Sequence, residues 1–374
     1  MKIASRIADI PMSGIRKMLD LAGSDSVNLG LGEPDLAPPA EAIRGMNEAA
    51  SSGKNKYGPT AGIPELRNAV AEYFSKYGSI EGSNVMITPS GSTGLLEVTQ
   101  SMIDPGDRAL VPDPGFVIYK PHAELAGAEA VGYNLTDDGL FQPDIDDIQS
   151  KITPNTSMIV VNTPSNPTGG VLTEESKKAL CDIARDKGIT ILSDEVYSEF
   201  IYEGKHTSFL DSLDCAVVVS GFSKMMAVTG WRIGFLCAEK ETLETLIKMQ
   251  YHVCASPNMP AMYGVLAAMP NIDPYLENAR NVFKKRRDLI VKRINEIDGM
   301  SIIPPRGAFY AFPSYEKDIP SVEVAGTLAR AGLICTPGSA FGANGEKHLR
   351  FSYAADESKI DSGMDILKNV MEGL

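Results

Sequence analysis

The chain has 374 residues, a length that suggests two domains. Hydrophobic residues make up 43% of it and charged residues 22%, which excludes disorder as the main state. With 35 basic and 48 acidic residues the net charge is −13. Binding of nucleic acid through bulk positive charge is therefore excluded, and we expect no nucleic-acid partner.

The sequence also predicts the compartment. No run of about 18 consecutive apolar residues occurs, so we expect no membrane-spanning segment. The first residues lack a long apolar core and a secretory cleavage pattern. The five cysteines are widely spaced, and the four histidines have no metal-ligand spacing. We therefore expect a cytoplasmic protein with reduced thiols and no metal site.

Strand and helix patterns alternate in the middle of the chain. Residues 173–187 predict a helix, with Thr173 as its N-cap and acidic residues in its first turn. Short β-branched runs predict strands at residues 108–111, 158–162, 190–194, 216–220 and 233–238. Such units predict an α/β fold, in which helices cover a mostly parallel, mixed sheet.

The ends of the chain predict a second, smaller domain. Residues 272–299 have one apolar helical face, residues 301–312 and 348–353 predict strands, and a final helix follows. The N-terminal segment is too short to form a core alone. The predicted division is a large domain from residues 46–279 and a discontinuous small α+β domain from residues 1–45 and 280–374.

Two familiar motifs are incomplete. Gly30-Leu31-Gly32 begins like a dinucleotide-binding fingerprint, but Asp35 stands where the third glycine belongs, which disfavours a nicotinamide cofactor. Residues 221–225 resemble the G-x-S-x-G motif of hydrolases but end in methionine. A serine hydrolase that uses Ser223 is therefore kept as an alternative.

Four polar segments follow predicted strands. They cover residues 90–94, 162–169, 194–197 and 220–224, the last leading to Arg232. Ligands of open α/β sheets bind outside the carboxyl ends of the strands, so these segments are candidates for one shared site. Each also has a purely structural interpretation: a helix cap, a tight turn, a strand-end cap or a solvated lysine.

The order and spacing of these segments resemble the aspartate aminotransferase family of fold-type-I pyridoxal-phosphate (PLP) enzymes. Residues 221–234 match the lysine-site pattern of that family, from Gly-Phe-Ser-Lys through Thr-Gly-Trp-Arg to Ile-Gly. Residues 31–35, 56–67 and 348–354 are also typical of it. The resemblance covers nearly the whole chain and implies a fold-type-I PLP transferase.

The resemblance implies three catalytic residues. Lys224 would form a Schiff base with the cofactor and move protons. Asp194 would keep the pyridine nitrogen protonated, while Asn166 and Tyr197 would donate hydrogen bonds to the phenolic oxygen of the cofactor. The expected catalytic set is therefore Lys224, Asp194 and Tyr197. Phe116 would stack on the cofactor ring, although a place in the apolar core is the competing interpretation.

The cofactor phosphate would be held by a helix N-terminus, a guanidinium group and hydroxyl groups. The residues expected in these roles are Ser90, Gly91, Ser92, Ser220, Ser223 and Arg232. The family usually has serine where this chain has Gly221, which weakens the expectation of a contact there. Tyr57 resembles the family tyrosine that reaches the phosphate of the neighbouring subunit, which implies a homodimer with shared active sites.

The resemblance also implies how the substrate binds. Arg350 would hold the α-carboxylate in a bidentate contact, Asn166 would contribute to this site, and Gly32 would close over it. A dicarboxylic substrate needs a second cation, for which Arg16 is the candidate, with a solvated helix face as the competing interpretation. Ser92 stands where some relatives have lysine, so a preference for aspartate is not assured.

The implied activity is transfer of an amino group from an L-amino acid, such as aspartate, alanine or an aromatic donor, to a 2-oxo acid, with 2-oxoglutarate expected, by a ping-pong mechanism. The main alternative is another PLP reaction on the same fold, such as β-elimination by a C–S lyase. A serine hydrolase is less favoured. A non-catalytic regulator is disfavoured because the sequence has no room for an added DNA-binding domain before residue 25 and is acidic.

Overall fold

The structure is a computed structural model that describes residues 4, 7, 10, 23, 25–136 and 138–374. The strands within these residues are β1 (Val27–Asn28), β2 (Val85–Thr88), β3 (Arg108–Asp113), β4 (Glu129–Asn134), β5 (Thr156–Asn162), β6 (Thr190–Asp194), β7 (Ala216–Gly221), β8 (Gly234–Cys237), β9 (Met300–Ser301), β10 (Tyr310–Ala311), β11 (Ser314–Tyr315), β12 (Leu333–Ile334), β13 (Thr336–Pro337) and β14 (Leu349–Ser352).

Helices cover these strands and connect them. Those within the described residues are α1 (Ala40–Ser51), α2 (Pro64–Phe74), α3 (Gly91–Met102), α4 (Tyr119–Leu125), α5 (Ile145–Lys151), α6 (Glu174–Lys187), α7 (Phe222–Met225), α8 (Lys240–Cys254), α9 (Met259–Ala268), α10 (Ile272–Ile294), α11 (Ser321–Arg330) and α12 (Glu357–Gly373). No helix in this part of the chain has the length and apolar composition that crossing a membrane requires.

The central sheet has the order β2-β8-β7-β6-β5-β3-β4 within the described residues. Strand β8 pairs antiparallel with both of its neighbours, and the remaining pairs are parallel. The predicted mostly parallel, mixed sheet is therefore confirmed. Helix α6 confirms the prediction for residues 173–187: the Thr173 Oγ1 atom accepts the backbone N–H of Ser176 at 3.1 Å, which caps the helix.

Apolar cores lie on both faces of this sheet. Ile159 and Val161 of β5 belong to one core cluster, whereas Met158 and Val160 of the same strand belong to another. Successive side chains of a strand point to opposite faces, so a strand covered on both sides is apolar throughout. This double burial explains the continuous β-branched runs in the sequence.

The two ends of the chain meet in a further core cluster. Strand β1 pairs in parallel with β12, through Val27 opposite Leu333, and helices α10 and α12 pack against each other. Leu29 shares this cluster with residues of the C-terminal region. The pairing agrees with a small domain built from both termini, while its proposed boundaries stay a prediction.

Two local predictions were wrong. Residues 301–312 do not form one strand. Strands β9 and β10 pair at its two ends, Gly307 forms an isolated bridge to Ile201, and Pro304 and Pro305 lack the N–H groups that a ladder needs. Helix α10 ends at Ile294 rather than at residue 299. The apolar Ile297 that extended the helical pattern is buried in the turn beyond the helix end.

The register of the parallel strands defines where a site can form. Asn162 of β5 lies opposite Asp194 of β6, and Asp194 lies opposite Val219 of β7. The three strands therefore end at the same edge of the sheet. This register brings three of the four polar segments identified from the sequence side by side.

Candidate active site

A cleft of about 290 Å³ opens at the carboxyl edge of the central sheet. It is lined by the residues after β2, β5, β6 and β7 together with the segment after β1 and side chains from β10 and β14. The lining comprises Gly30, Leu31, Gly32, Glu33, Ser90, Gly91, Ser92, Leu95, Phe116, Asn166, Asp194, Val196, Tyr197, Ser223, Lys224, Thr229, Arg232, Tyr310 and Arg350.

Lys224 lies at the base of this cleft. It belongs to α7, the single turn that follows β7, and its Nζ donates a hydrogen bond to the carbonyl oxygen of Gly32 at 2.6 Å. Burial lowers the pKa of this amine to about 8, and the positive charges of Arg232 and Arg350 act in the same direction. About a tenth of such a lysine is neutral at pH 7, far more than of a lysine in water, and the neutral amine is able to act as a nucleophile or a base.

Asp194 is the buried carboxylate of the site. Its Oδ2 accepts the hydroxyl proton of Tyr119 at 2.8 Å, and its Oδ1 accepts the backbone N–H of Val196 at 3.2 Å. Burial raises the pKa of Asp194 to about 6, and the two hydrogen bonds oppose this rise because they favour the charged form. The side chain is therefore a buried acceptor suited to a cationic or N–H partner.

Arg350 is 2% exposed and fixed from several sides. Its guanidinium donates to Asn166 Oδ1 at 3.0 Å, to the carbonyl oxygen of Gly30 at 2.5 Å and to Thr336 Oγ1 at 3.1 Å, and it lies 4.7 Å from the ring centre of Tyr310. Its Nε has no partner among the described residues. A buried cation that retains a free donor is suited to bind an anionic group.

Two tyrosines form one wall of the cleft. The hydroxyl groups of Tyr197 and Tyr310 share a hydrogen bond of 2.7 Å, and burial raises the pKa of Tyr197 well above its usual value. A Cβ at Gly32 would lie 1.8 Å from the Tyr310 hydroxyl oxygen. Gly32 is therefore required for the segment after β1 to approach this wall so closely.

The start of α3 forms a polar end of the cleft. Ser90 caps the helix, because its Oγ accepts the backbone N–H of Thr93 at 3.1 Å. Ser90 has a φ of 127°, a region that side chains disfavour. The N–H groups at a helix start point outward and carry the positive end of the helix dipole. Arg232, whose Nη1 donates to the carbonyl oxygen of Thr229 at 2.9 Å, lines the same cleft.

Comparison with known proteins identifies the family. Residues 24–367 match the family described as "Aminotransferase class I and II". The chain is 37% identical to the probable aspartate aminotransferase of Methanocaldococcus jannaschii, over 99% of this chain and all of that protein. It is 34% identical to aromatic-amino-acid aminotransferase 2 of Thermococcus litoralis, over all of this chain and 99% of that protein.

A solved structure gives the same result. The aspartate aminotransferase of Thermus thermophilus with maleate superposes with a TM-score of 0.93 at 32% identity, covering 99% of this chain and all of that one. The chain belongs to the class I and II aminotransferase family. It is an aminotransferase of fold type I, and the family is in general PLP-dependent.

The aminotransferase cleft brings together most of the side chains expected from the sequence. Those that line it are Gly32, Ser90, Gly91, Ser92, Phe116, Asn166, Asp194, Tyr197, Ser223, Lys224, Arg232 and Arg350. Phe116 lines the cleft and also packs against an apolar core cluster, so its position is compatible with both a cofactor contact and a place in the core. The individual roles of these residues stay predictions.

Three expected residues are not part of this group. Ser220 is buried behind the cleft, where its hydroxyl donates to the carbonyl oxygen of Glu195 at 3.1 Å, so the expected contact of that hydroxyl with a phosphate is not supported. Tyr57 is 87% exposed and lies outside the lining. Arg16, the candidate for side-chain recognition, lies outside the described residues.

The sequence reasoning missed several residues of the aminotransferase cleft. Tyr119 is the first residue of α4 and donates its hydroxyl proton to Asp194, and its place three residues after Phe116 in the sequence was the available signal. Glu33 and Thr229 both lie within recognised motifs, and Thr229 donates its hydroxyl to the Glu33 carboxylate across the cleft. Tyr310 had no signal, since only the packing of distant segments brings it here.

Proposed function

We propose that this aminotransferase uses PLP to transfer the amino group of an L-amino acid to a 2-oxo acid, with 2-oxoglutarate as the expected acceptor, in a ping-pong cycle. One observation carries the proposal. A single cleft combines Lys224, which has a lowered pKa, with the buried carboxylate of Asp194 and the buried guanidinium of Arg350.

The residues present fit the cofactor. Lys224 would hold its aldehyde carbon, Asp194 would face the ring nitrogen, and Asn166 and Tyr197 would lie at the phenolic oxygen. The free donor end of α3, with Arg232, matches the requirement of a phosphate for directed N–H groups. When bound, the cofactor supplies an aldehyde that takes up the amino group and a protonated ring that withdraws electrons from the substrate Cα.

Lys224 would move the proton of the substrate. A buried amine with a pKa of about 8 is partly neutral near pH 7, so it is able to take a proton from the amino-acid Cα and return it elsewhere. Asp194 would support this step at a distance, because a buried anion stabilises a proton on the ring nitrogen opposite it. The tyrosine pair at positions 197 and 310 would exclude water from this side of the cleft.

Arg350 would bind the α-carboxylate of the substrate. The free Nε and the planar guanidinium match a carboxylate in geometry and charge. The hydrogen bonds to Asn166 and Gly30 fix the group before the substrate arrives, which lowers the entropic cost of binding. The residues that follow Gly30, up to Gly32, would cover the bound substrate.

The side-chain preference of the substrate is a finer part of the proposal. Relatives of similar identity are named for aspartate and for aromatic amino acids, so the family match does not select a donor. Ser92 offers a hydroxyl rather than a cation, and Glu33 adds a negative charge to the lining. We therefore expect aromatic or alanine donors to react at least as well as aspartate. Half-reaction rates with each amino acid, read from the change in cofactor absorbance, test this expectation.

The decisive variant is Lys224→Ala. We expect its transamination rate to fall by about 10³-fold or more, because it loses both the covalent attachment and the proton-transfer group. The visible absorbance of the lysine-bound cofactor should disappear as well. Oxo-acid production with 2-oxoglutarate as acceptor and the absorbance spectrum provide the two measurements.

The matched control is Lys178→Ala, which removes an exposed lysine on α6 and should leave both readouts unchanged. Release of free ammonia and pyruvate by the wild type, without consumption of 2-oxoglutarate, would indicate β-elimination instead. Ester hydrolysis that survives in Lys224→Ala would indicate a serine hydrolase.

We further propose a homodimer that shares its active sites. Tyr57 is 87% exposed, and Tyr251 and Val253 form other exposed apolar positions, 60% and 46% exposed. Gly58, next to Tyr57, donates its N–H to Ser256 Oγ at 3.3 Å, so the two segments lie together. Exposed aromatic and apolar side chains on neighbouring segments are typical of a surface that binds another chain.

Mixing two inactive variants tests the shared site. Lys224→Ala and Tyr57→Ala, each impaired alone, should regain up to about a quarter of wild-type activity when refolded together, because half of the dimers are hybrids with one intact site. A monomeric mass at micromolar concentration, or a mixture no more active than its parts, would overturn the proposal.

A further inference from the structure

We propose that Asp113 is a positioning residue for substrate binding. It anchors the loop of residues 341–344, and this loop places the ring of Phe341 over the guanidinium of Arg350. Asp113 is not part of the cleft lining, so its effect on the substrate passes through the loop. The inference rests on the proposed function, in which Arg350 binds the α-carboxylate of the substrate.

The carboxylate of Asp113 accepts two consecutive backbone N–H groups of the loop. Asp113 is the last residue of β3, and its Oδ2 accepts the N–H of Ala343 at 3.1 Å. Its Oδ1 accepts the N–H of Asn344 at 3.0 Å. Hydrogen bonds to an ionised carboxylate are stronger than those between neutral groups. An amide at this position has a single acceptor oxygen and would hold only one of the two donors.

Further hydrogen bonds join the same two parts of the chain. The N–H of Gly115 donates to the carbonyl oxygen of Phe341 at 2.8 Å. The side-chain amide of Asn344 donates to the carbonyl oxygen of Asp113 at 3.3 Å and to Asn134 Oδ1 at 2.8 Å. Since strands β3 and β4 are neighbours in the central sheet, the loop is attached to the ends of both.

Gly342 permits the close approach of the loop to the carboxylate. It has a φ of 132°, which a residue with a side chain rarely adopts. A Cβ at this position would lie 2.1 Å from Asp113 Oδ1. The backbone of the loop therefore lies directly against the carboxylate, with no room for a side chain between them.

The loop reaches Arg350 through one aromatic ring. Phe341 is 4% exposed, and its ring centre lies 5.0 Å from the guanidinium carbon of Arg350. The ring centre of Tyr310 lies 4.7 Å from the same carbon. Aromatic faces attract a guanidinium group, so the two rings restrict the orientations that Arg350 can adopt. A shift of Phe341 would remove one of these restraints.

The packing beside the loop is open. A groove of about 430 Å³ lies next to the cleft, and Asp113, Phe116 and Phe341 all contribute to its lining. Because the described residues leave this space open, hydrogen bonds rather than close apolar packing hold the loop against the strand ends. Loss of the carboxylate at position 113 should therefore loosen the loop and the orientation of Arg350.

The experiment measures the half-reaction of the holoenzyme with its fastest amino-acid donor over a range of donor concentrations. In Asp113→Ala, we expect the donor concentration that gives half the maximal rate to rise about 10-fold or more. The maximal rate should change by less than about 3-fold, because Lys224 and Asp194 keep their positions. The affinity for PLP, measured by fluorescence titration of the apoenzyme, should equal that of the wild type.

Two further variants separate positioning from a general loss of stability. Asp113→Asn keeps the size of the side chain and one acceptor, so its donor dependence should lie between those of the wild type and Asp113→Ala, and it keeps the test valid if the alanine variant fails to fold. Asp356→Ala is the matched control. Its carboxylate also accepts a backbone N–H, that of Ser358 at 2.9 Å, but it lies at the start of α12 and outside the cleft lining. This control should keep the donor dependence of the wild type.

A double variant tests the path through Phe341. Phe341→Leu removes the ring and should weaken donor binding at least as much as Asp113→Ala. Adding Asp113→Ala to it should then weaken binding by less than about 2-fold more, since two residues that act through one contact are not additive.

Effects of the two substitutions that multiply would overturn the proposal. A wild-type donor dependence in Asp113→Ala, or a loss confined to the maximal rate, would overturn it as well while the proposed function stands. A wild type that transaminates no amino acid would contradict the proposed function itself, and the role of Asp113 would fail with it.

Discussion

At the residue scale, burial changes the chemistry of ordinary side chains. Lys224 and Asp194 would have pKa values far apart in water, yet burial lowers the first to about 8 and raises the second to about 6. Both groups therefore change protonation close to neutral pH. Lys224 gives up its proton more readily than a lysine in water, and Asp194 needs a partner to remain charged.

Tyr119 is that partner within the protein. We expect Tyr119→Phe to raise the pKa of Asp194 above about 6 and to weaken PLP binding about 10- to 100-fold, since a buried hydrogen bond to a charged group is worth roughly 1.5–3 kcal/mol. Cofactor affinity measured by fluorescence titration of the apoenzyme checks this. Tyr133→Phe is the matched control, because it removes a 2.8 Å hydrogen bond from an equally buried tyrosine to the carbonyl oxygen of Val160. Equal affinity of the two variants would contradict the assigned role.

At the scale of the element, sequence patterns correctly predicted helices that residues at their own ends stabilise. Helix α6 has a threonine cap, acidic residues in its first turn and a left-handed glycine at its end, and its predicted bounds were confirmed. The segment between β9 and β10 was predicted wrongly as a strand, because Pro304 and Pro305 lack the N–H groups of a ladder and Gly307 forms only an isolated bridge, to Ile201. Apolar composition alone does not reveal such an interruption.

Helix α3 carries a conformational strain at its start that a substitution can measure. Ser90 adopts a φ of 127°, a region that costs of order 1–3 kcal/mol for a residue with a side chain and little for glycine. Replacing a serine cap by glycine costs only a few tenths of a kcal/mol. We therefore expect Ser90→Gly to stabilise the protein by about 1 kcal/mol and to raise its melting temperature in differential scanning calorimetry. A fall in melting temperature would show that the cap outweighs the strain.

At the scale of the whole molecule, one buried acid has no partner. Glu97 of α3 is 0% exposed, and neither carboxylate oxygen has a hydrogen-bond partner among the described residues. Burial raises its pKa to about 8 from a usual value of 4.5. The folded state therefore binds more protons than the unfolded state between these pH values, and the contribution of Glu97 to stability falls as the pH rises through them.

Glu97→Gln should remove this pH dependence. We expect the free energy of unfolding of the variant, relative to that of the wild type, to rise by about 2–4 kcal/mol between pH 5 and pH 8.5. Urea unfolding at fixed protein concentration measures it. Glu244→Gln, on the exposed face of α8, should show no such shift. Parallel pH profiles for the two variants would mean that Glu97 has a partner in the assembled protein.

The sequence by itself determined the α/β class, the mostly parallel sheet, the family and most side chains of the cleft. These features follow from short-range patterns, namely apolar runs, helix caps and polar segments after strands. Because the parallel strands end at the same edge of the sheet, the polar segments that follow them come together there. The tertiary structure decided which of these side chains meet. It placed Tyr310 in contact with Tyr197 and Tyr119 in contact with Asp194. It also turned the Ser220 hydroxyl away from the cleft.

The physical reason is that some properties depend on neighbours in the sequence, whereas others depend on contacts between distant segments. Segments far apart in the sequence pack together to exclude water, and only that packing fixes the low polarity around Lys224 and leaves the Nε of Arg350 without a partner among the described residues. The sequence gives the type of each residue, but the protonation state and the partners of that residue depend on its burial in the folded protein. The −13 net charge likewise says little about a site in which Lys224 and Arg350 donate their hydrogen bonds to neutral oxygen atoms inside one cleft.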